Sequence, residues 1–209
     1  PAGSRTSRGR TQMAGAALAL SMTVEASTPA LADRDWSAAF YASQLNLRGL
    51  WDTFPIRLVN AYSLGIGINK TVLRDPFAPM ASILPPLADA RVEWQIKLLQ
   101  HVGMERHTEF ATALLVRSRN VSLPGGTSVN VAIGNGVSYA FSLPRLENGY
   151  NGRTTQLLNY MVVELEFEHQ QMPNVQFVLN LHHRCSAWGL FGPAGAGSNY
   201  FGAALRFSR

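Results

Sequence analysis

The stretch Ser128 to Leu143 reads SVNVAIGNGVSYAFSL, and it alternates. Val129, Val131, Ile133, Val137, Tyr139 and Phe141 fall on one face of an extended chain, and Asn135 is the single polar residue in that row. The other face is Asn130, Ala132, Gly134, Gly136, Ser138, Ala140 and Ser142. A period of two with chemically distinct sides is the mark of a β-strand between two environments.

Seven further runs share the pattern: Trp36 to Leu45, Ala61 to Val72, Arg91 to Val102, His107 to Arg117, Gln156 to Glu168, Val175 to Cys185 and Asn199 to Ser208. Most are near the 9 to 11 residues of a tilted strand that spans a bilayer. Their second faces hold small residues together with charges such as Glu93, Lys97, Glu164 and Glu166. Only 15% of the 209 residues are charged, too few to coat a soluble barrel that keeps its apolar face inside. Apolar-out and polar-in fits an all-β, eight-stranded antiparallel transmembrane barrel of the outer-membrane type. Trp36, Tyr62, Trp94, Tyr139 and Phe207 suit its aromatic girdles.

The N-terminus supports export. Arg5, Arg8 and Arg10 precede an apolar run from Met13 to Val24, and Ala30-Leu31-Ala32 offers a cleavage site before Asp33. Residues 1–32 are therefore expected to be a signal peptide and 33–209 a single barrel domain. The one cysteine, Cys185, excludes an internal disulfide, and no later segment has the length of apolar sequence that a transmembrane helix needs. The formal charge of +5 is carried by scattered residues without a nucleic-acid-binding motif, so no nucleic-acid partner is expected.

With the N-terminus in the periplasm, the outer connections fall at 46–60, 103–106, 144–155 and 186–198. The inner ones fall at 73–90, 118–127 and 169–174. The first inner connection, with Pro76, Pro79, Pro85 and Pro86, is long for a periplasmic turn, and the sequence offers no reason for it.

Chemistry concentrates at the end of the seventh run, Leu181-His182-His183-Arg184-Cys185-Ser186. The outward row Val175, Phe177, Leu179 and Leu181 extends by its period to His183 and Cys185. An imidazole and a thiol facing lipid are costly unless something uses them. Residues two apart lie roughly 6 to 7 Å apart at the backbone, within reach for a base and a nucleophile. The bland reading, two tolerated side chains at the headgroup boundary, stands beside that one. His182 and His183 point to opposite faces, so the pair suggests no metal, and no cofactor is implied.

From Arg91 to Phe207 the chain resembles the outer-membrane lipid A 3-O-deacylases and their acyloxyacyl-hydrolase-like relatives. The resemblance rests on His183-Arg184-Cys185-Ser186 with Gly189-Leu190-Phe191-Gly192, on Gly197-Ser198-Asn199 and on Leu205-Arg206-Phe207. The stretches from Gly134 to Ala140 and from Leu157 to Tyr160 add to it. It implies His183 as base, Cys185 at the nucleophilic serine position and Ser186 where an oxyanion-holding asparagine stands. The family's acid follows the serine by about a dozen residues, but this chain has no Asp or Glu after Glu168. Glu147 is the best substitute, with Asp52 and Glu105 as other outer-loop carboxylates. A backbone N–H near Ser186 or Asn199 would hold the oxyanion.

The function so implied is removal of an acyl chain from lipid A in the bacterial outer membrane. Lipid A or lipopolysaccharide and the membrane itself would be the partners, and a homodimer is left open. Arg48, Arg57, Arg145, Arg153 and Arg184 are candidates for substrate phosphates. The alternative is a non-catalytic barrel that binds lipid or has a structural role.

Overall fold

The computed structural model describes residues 35–47, 56–147 and 152–209. The expected signal peptide, Arg48 and Asp52 lie outside the described residues.

Nine strands form: β1 (Trp36–Asn46), β2 (Leu58–Arg74), β3 (Arg91–Gly103), β4 (Thr108–Arg117), β5 (Val121–Leu123), β6 (Thr127–Ala140), β7 (Leu157–His169), β8 (Val175–Cys185) and β9 (Gly197–Ser208). Each pairs antiparallel with its neighbours; β1 also pairs with β9, and β4 with β6. Those two pairings close an eight-stranded barrel without a free edge, and closure is what lets strands cross a bilayer with every backbone group satisfied. The short β5 continues the place of β4 along the first residues of β6, pairing Val121 with Val129 and Leu123 with Thr127. Sequence alone joined this segment to the 118–127 connection.

All eight expected strands are present, and the alternation sorts as anticipated. Phe40, Leu64, Ile66, Trp94, Leu114, Ile133, Phe177 and Leu205 are exposed on the outer face, whereas Glu93, Gln95, Lys97, Arg117, Glu164 and Arg206 are buried in the interior. The wall needs glycine where strands and interior side chains crowd. A Cβ on Gly136 would stand 2.0 Å from the Thr112 carbonyl oxygen, and one on Gly67 would stand 2.8 Å from the Tyr41 ring.

The lower interior is filled by an ion cluster. Arg117 reaches Glu93 through Nε at 2.8 Å and Glu164 through Nη2 at 2.8 Å, while Nη1 donates to Asn130 at 3.0 Å. Arg206 donates to Glu164 at 2.6 Å and also to Glu166. Lys97 sits 3.8 Å from Glu164 and 3.9 Å from the centre of the Tyr41 ring. Charges buried this deeply persist only when paired and hydrogen-bonded.

The long 73–90 connection has a structural account after all. The amide of Asp75 donates to the Ala90 carbonyl at 2.7 Å and closes it at its base. Between them lie two 3-10 turns, Ala78–Met80 and Pro85–Leu87, each with proline in its first two positions, where no intrahelical N–H is required. The Pro86 carbonyl then accepts from Arg119 N at 3.3 Å, which ties this connection to the next inner one.

Candidate functional site

Strand register assembles a polar row on the outer face near the outer end. Asn46 lies opposite Asn199, Asn199 opposite His183, His183 opposite Met161, and Met161 opposite Asn135. One step further out, Cys185 lies opposite Asn159. The apolar belt is thus interrupted by four asparagines, a histidine and a thiol in one patch. Asn135, the exception in the alternation of β6, belongs to it.

Within the patch the histidine is held from behind. His183 Nδ1 donates to Asn199 Oδ1 at 2.5 Å, leaving the lone pair on Nε2 as the basic one. The Cys185 thiol lies beside the His183 side chain and the Ala187 backbone N–H. Asn159 Nδ2 lies 3.6 Å from its sulfur. Thiol, imidazole and asparagine amide in this order form a recognised triad composition for cysteine-dependent acyl transfer.

A cavity of about 520 Å3 opens over the triad, walled in part by Leu45, Leu47, Asn135, Met161 and Trp188. Its rim includes a turn in which Ala187 and Trp188 take φ of 45° and 57°, a left-handed conformation that few non-glycine residues adopt. This turn leaves Trp188 94% and Leu190 80% exposed beside the cavity mouth.

The residues singled out from sequence divide into two groups. His183, Cys185 and Asn199 come together, but Asn199 holds the histidine instead of supplying an oxyanion donor. Glu147 does not touch the histidine: its carboxylate accepts from Arg184 Nη1 at 2.7 Å, Ser198 Oγ at 2.6 Å and Thr154 Oγ1 at 2.9 Å. The reason is the pleat. Arg184 and Ser198 face the interior, and Glu147 closes over them from the outer turn at the edge of the cavity it shares with His183.

Arg184 is accordingly fully buried, with its guanidinium held by Glu147 and by the Gln156 carbonyl. The Ser186 backbone N–H donates to the Ala196 carbonyl at 3.0 Å and is therefore taken. Arg57, Arg145 and Arg153 remain exposed at the outer end. Glu105 ties two outer connections together, accepting from Arg145 N at 2.9 Å and Leu146 N at 2.7 Å. Burial pushes its carboxyl up, but the nearby His107 ring and the hydrogen bonds from these two amides outweigh that and hold it down at about 2.

Sequence reasoning missed Asn159 as a neighbour of the sulfur and Asn199 as the orienting group. The signal for Asn199 was available, since extending the outward row Leu205, Ala203 and Phe201 by its period reaches it.

A closed eight-stranded antiparallel barrel with an apolar outer belt and a charged interior defines the protein as a β-barrel of the bacterial outer membrane. No family model matches the chain, and no curated protein does. Among solved structures, the outer membrane enzyme PagL matches with a TM-score of 0.53 and 12% identity, over 83% of this chain and 98% of that one. Neisserial surface protein A (NspA) matches with a TM-score of 0.48 and 9% identity, over 83% and 96%. The N-terminal barrel domain of Pseudomonas aeruginosa OprF gives 0.42 and 11%, over 83% and 98%. Identities this low speak for the fold alone.

Proposed function

We propose that the protein hydrolyses an acyl ester of lipid A in the outer leaflet, with Cys185 as nucleophile and His183 as base. The observation that carries the reading is the His183 Nδ1 to Asn199 Oδ1 bond beside a thiol, all on the lipid-facing side of the wall and under a largely apolar cavity. A barrel with a purely structural outer face gains nothing by placing these groups against lipid.

In this reading Nε2 of His183 takes the proton of Cys185 as the sulfur attacks the ester carbonyl carbon. The oxyanion is met by Asn159 Nδ2, already 3.6 Å from the sulfur, and by the neighbouring Ala187 N–H. Collapse breaks the ester C–O bond, and His183 returns the proton to the departing sugar oxygen. Water, deprotonated by the same imidazole, then cleaves the thioester and frees the fatty acid. Arg57, Arg145 and Arg153, exposed at the outer end, are the candidates for the lipid A phosphates, which arginine engages well.

The test is mass spectrometry of lipid A from cells that make the protein, with His183→Ala and Cys185→Ala variants inserted at equal level. The expected result is loss of one acyl chain with the intact triad and with neither variant. Unchanged lipid A beside a fully folded barrel would overturn the proposal and leave the non-catalytic lipid-binding role.

A further inference from the structure

We propose that the outer part of the barrel interior holds a divalent transition-metal ion, ligated by His101, His107 and Glu109. This site is separate from the triad: it lies on the inner face of the β3–β4 hairpin, and its side chains are 1%, 5% and 0% exposed. One ligand atom from each of the three lies within 4.8 Å of the others. Neighbouring ligands around a tetrahedral zinc stand about 3.3 Å apart, given bonds of roughly 2.0–2.2 Å, so rotation about side-chain bonds is enough to close the set.

The hydrogen bonding suits a bound cation. The His101 and His107 rings stack with centres 4.0 Å apart and planes 13° apart. Among the described residues, His101 Nδ1 and both ring nitrogens of His107 meet no hydrogen-bond partner. Leaving buried polar atoms unsatisfied is costly, and the lone pairs of two neutral imidazoles are what a zinc-like ion takes.

The surroundings have the form of an outer coordination shell. Glu105 Oε1 stands 3.4 Å from His107 Nδ1, the place of the carboxylate that fixes the tautomer of a metal-bound histidine and leaves Nε2 to the ion. Within the ligand set, Glu109 turns one oxygen to His101 Nε2 at 2.8 Å, a contact the ion would replace. Its other oxygen is held by His182 Nε2 at 2.9 Å and by Ser138 Oγ at 2.6 Å. Two imidazoles and a carboxylate suit a borderline ion such as zinc better than calcium or magnesium, which take oxygen.

The experiment refolds the barrel into detergent with zinc present, dialyses it against metal-free buffer, and counts retained zinc by elemental analysis, with cobalt as a spectroscopic probe of geometry. One ion per barrel is expected for the unaltered protein and for His183→Ala. Affinity should fall by more than about tenfold in His107→Ala and His107→Gln, and by about tenfold in Glu105→Gln. Two His107 variants are used so that a folding defect in one does not hide the answer. Retention of no more zinc by the unaltered barrel than by the His107 variants would overturn the proposal, and so would undiminished binding in both of them.

Discussion

The lower interior and the outward patch at the outer end both place polar groups at membrane depth, yet they are built on opposite principles. Inside, Arg117 and Arg206 are enclosed by Glu93, Glu164 and Glu166, each carboxylate meeting at least one guanidinium, and the groups are buried. Outside, Cys185 and His183 are half-buried beneath a cavity, and the partner of the imidazole is a neutral amide. A balanced and enclosed cluster fills space and fixes register. An unbalanced and open one is, in the proposed function, where a substrate reaches the wall. The two regions should therefore fail differently when altered.

The largest effect should come from the open patch, and on turnover alone. His183→Ala or Cys185→Ala is expected to lower the deacylation rate by about a thousandfold or more, since nucleophile and base act as one unit. The urea midpoint in lipid vesicles should stay within the range of ordinary surface substitutions. An equal loss of stability would place the pair with the structural groups and break the contrast.

Arg117→Met tests the enclosed cluster. Removing one partner of a buried ion network leaves Glu93 and Glu164 short of charge, and destabilisation on the order of 3–5 kcal/mol is expected. Heat-modifiable gel migration and urea unfolding measure it. Turnover per folded barrel should not change, because nothing in this cluster touches the outward patch.

Asn199 sharpens the comparison further. Asn199→Ala frees the imidazole to rotate, and a fall in rate of about 10- to 100-fold is expected as orientation is lost. Asn199→Asp should restore most of that rate. A merely structural asparagine would not yield the rescue.

How much of this was legible in the sequence depends on the distance over which residues must be related. Period two within one strand places His183 and Cys185 outward and Glu164 inward without reference to any other strand. Pairing across the barrel is not legible in that way: Arg117 and Glu164 meet through the interior, on strands that are not neighbours, and nothing in their local patterns connects them. Asn199 lies between these cases. Its outward face follows from β9 alone, but its place opposite His183 depends on the β8–β9 register, which the 186–196 turn sets. The histidines show a different limit. Weighing only the adjacent pair His182 and His183 disposed of a metal there, while His101 and His107, six residues apart across the β3–β4 connection, needed the hairpin to be seen together.

Glu147 gives the smallest expected effect and the sharpest distinction between the two readings. From sequence it is the best available acid for the triad; in the structure it closes the interior above Arg184. Glu147→Gln keeps an oxygen for Arg184 and Ser198, which share Oε1, while its amide N–H2 turns to Thr154 Oγ1 as donor, and Glu109 at 3.9 Å from Arg184 Nε keeps a negative charge near the guanidinium. The cost in stability should therefore be about 1–2 kcal/mol, the weakening of one charge-assisted hydrogen bond. Turnover per folded barrel should hold within about threefold, since no proton or orientation of His183 passes through this side chain. A drop of more than tenfold in a fully folded variant would mean that the outer turn moves in the membrane and brings the carboxylate to the histidine. That outcome would place Glu147 with the chemistry, make Asn199 a resting partner, and dissolve the boundary between the open patch and the enclosed interior at this one residue.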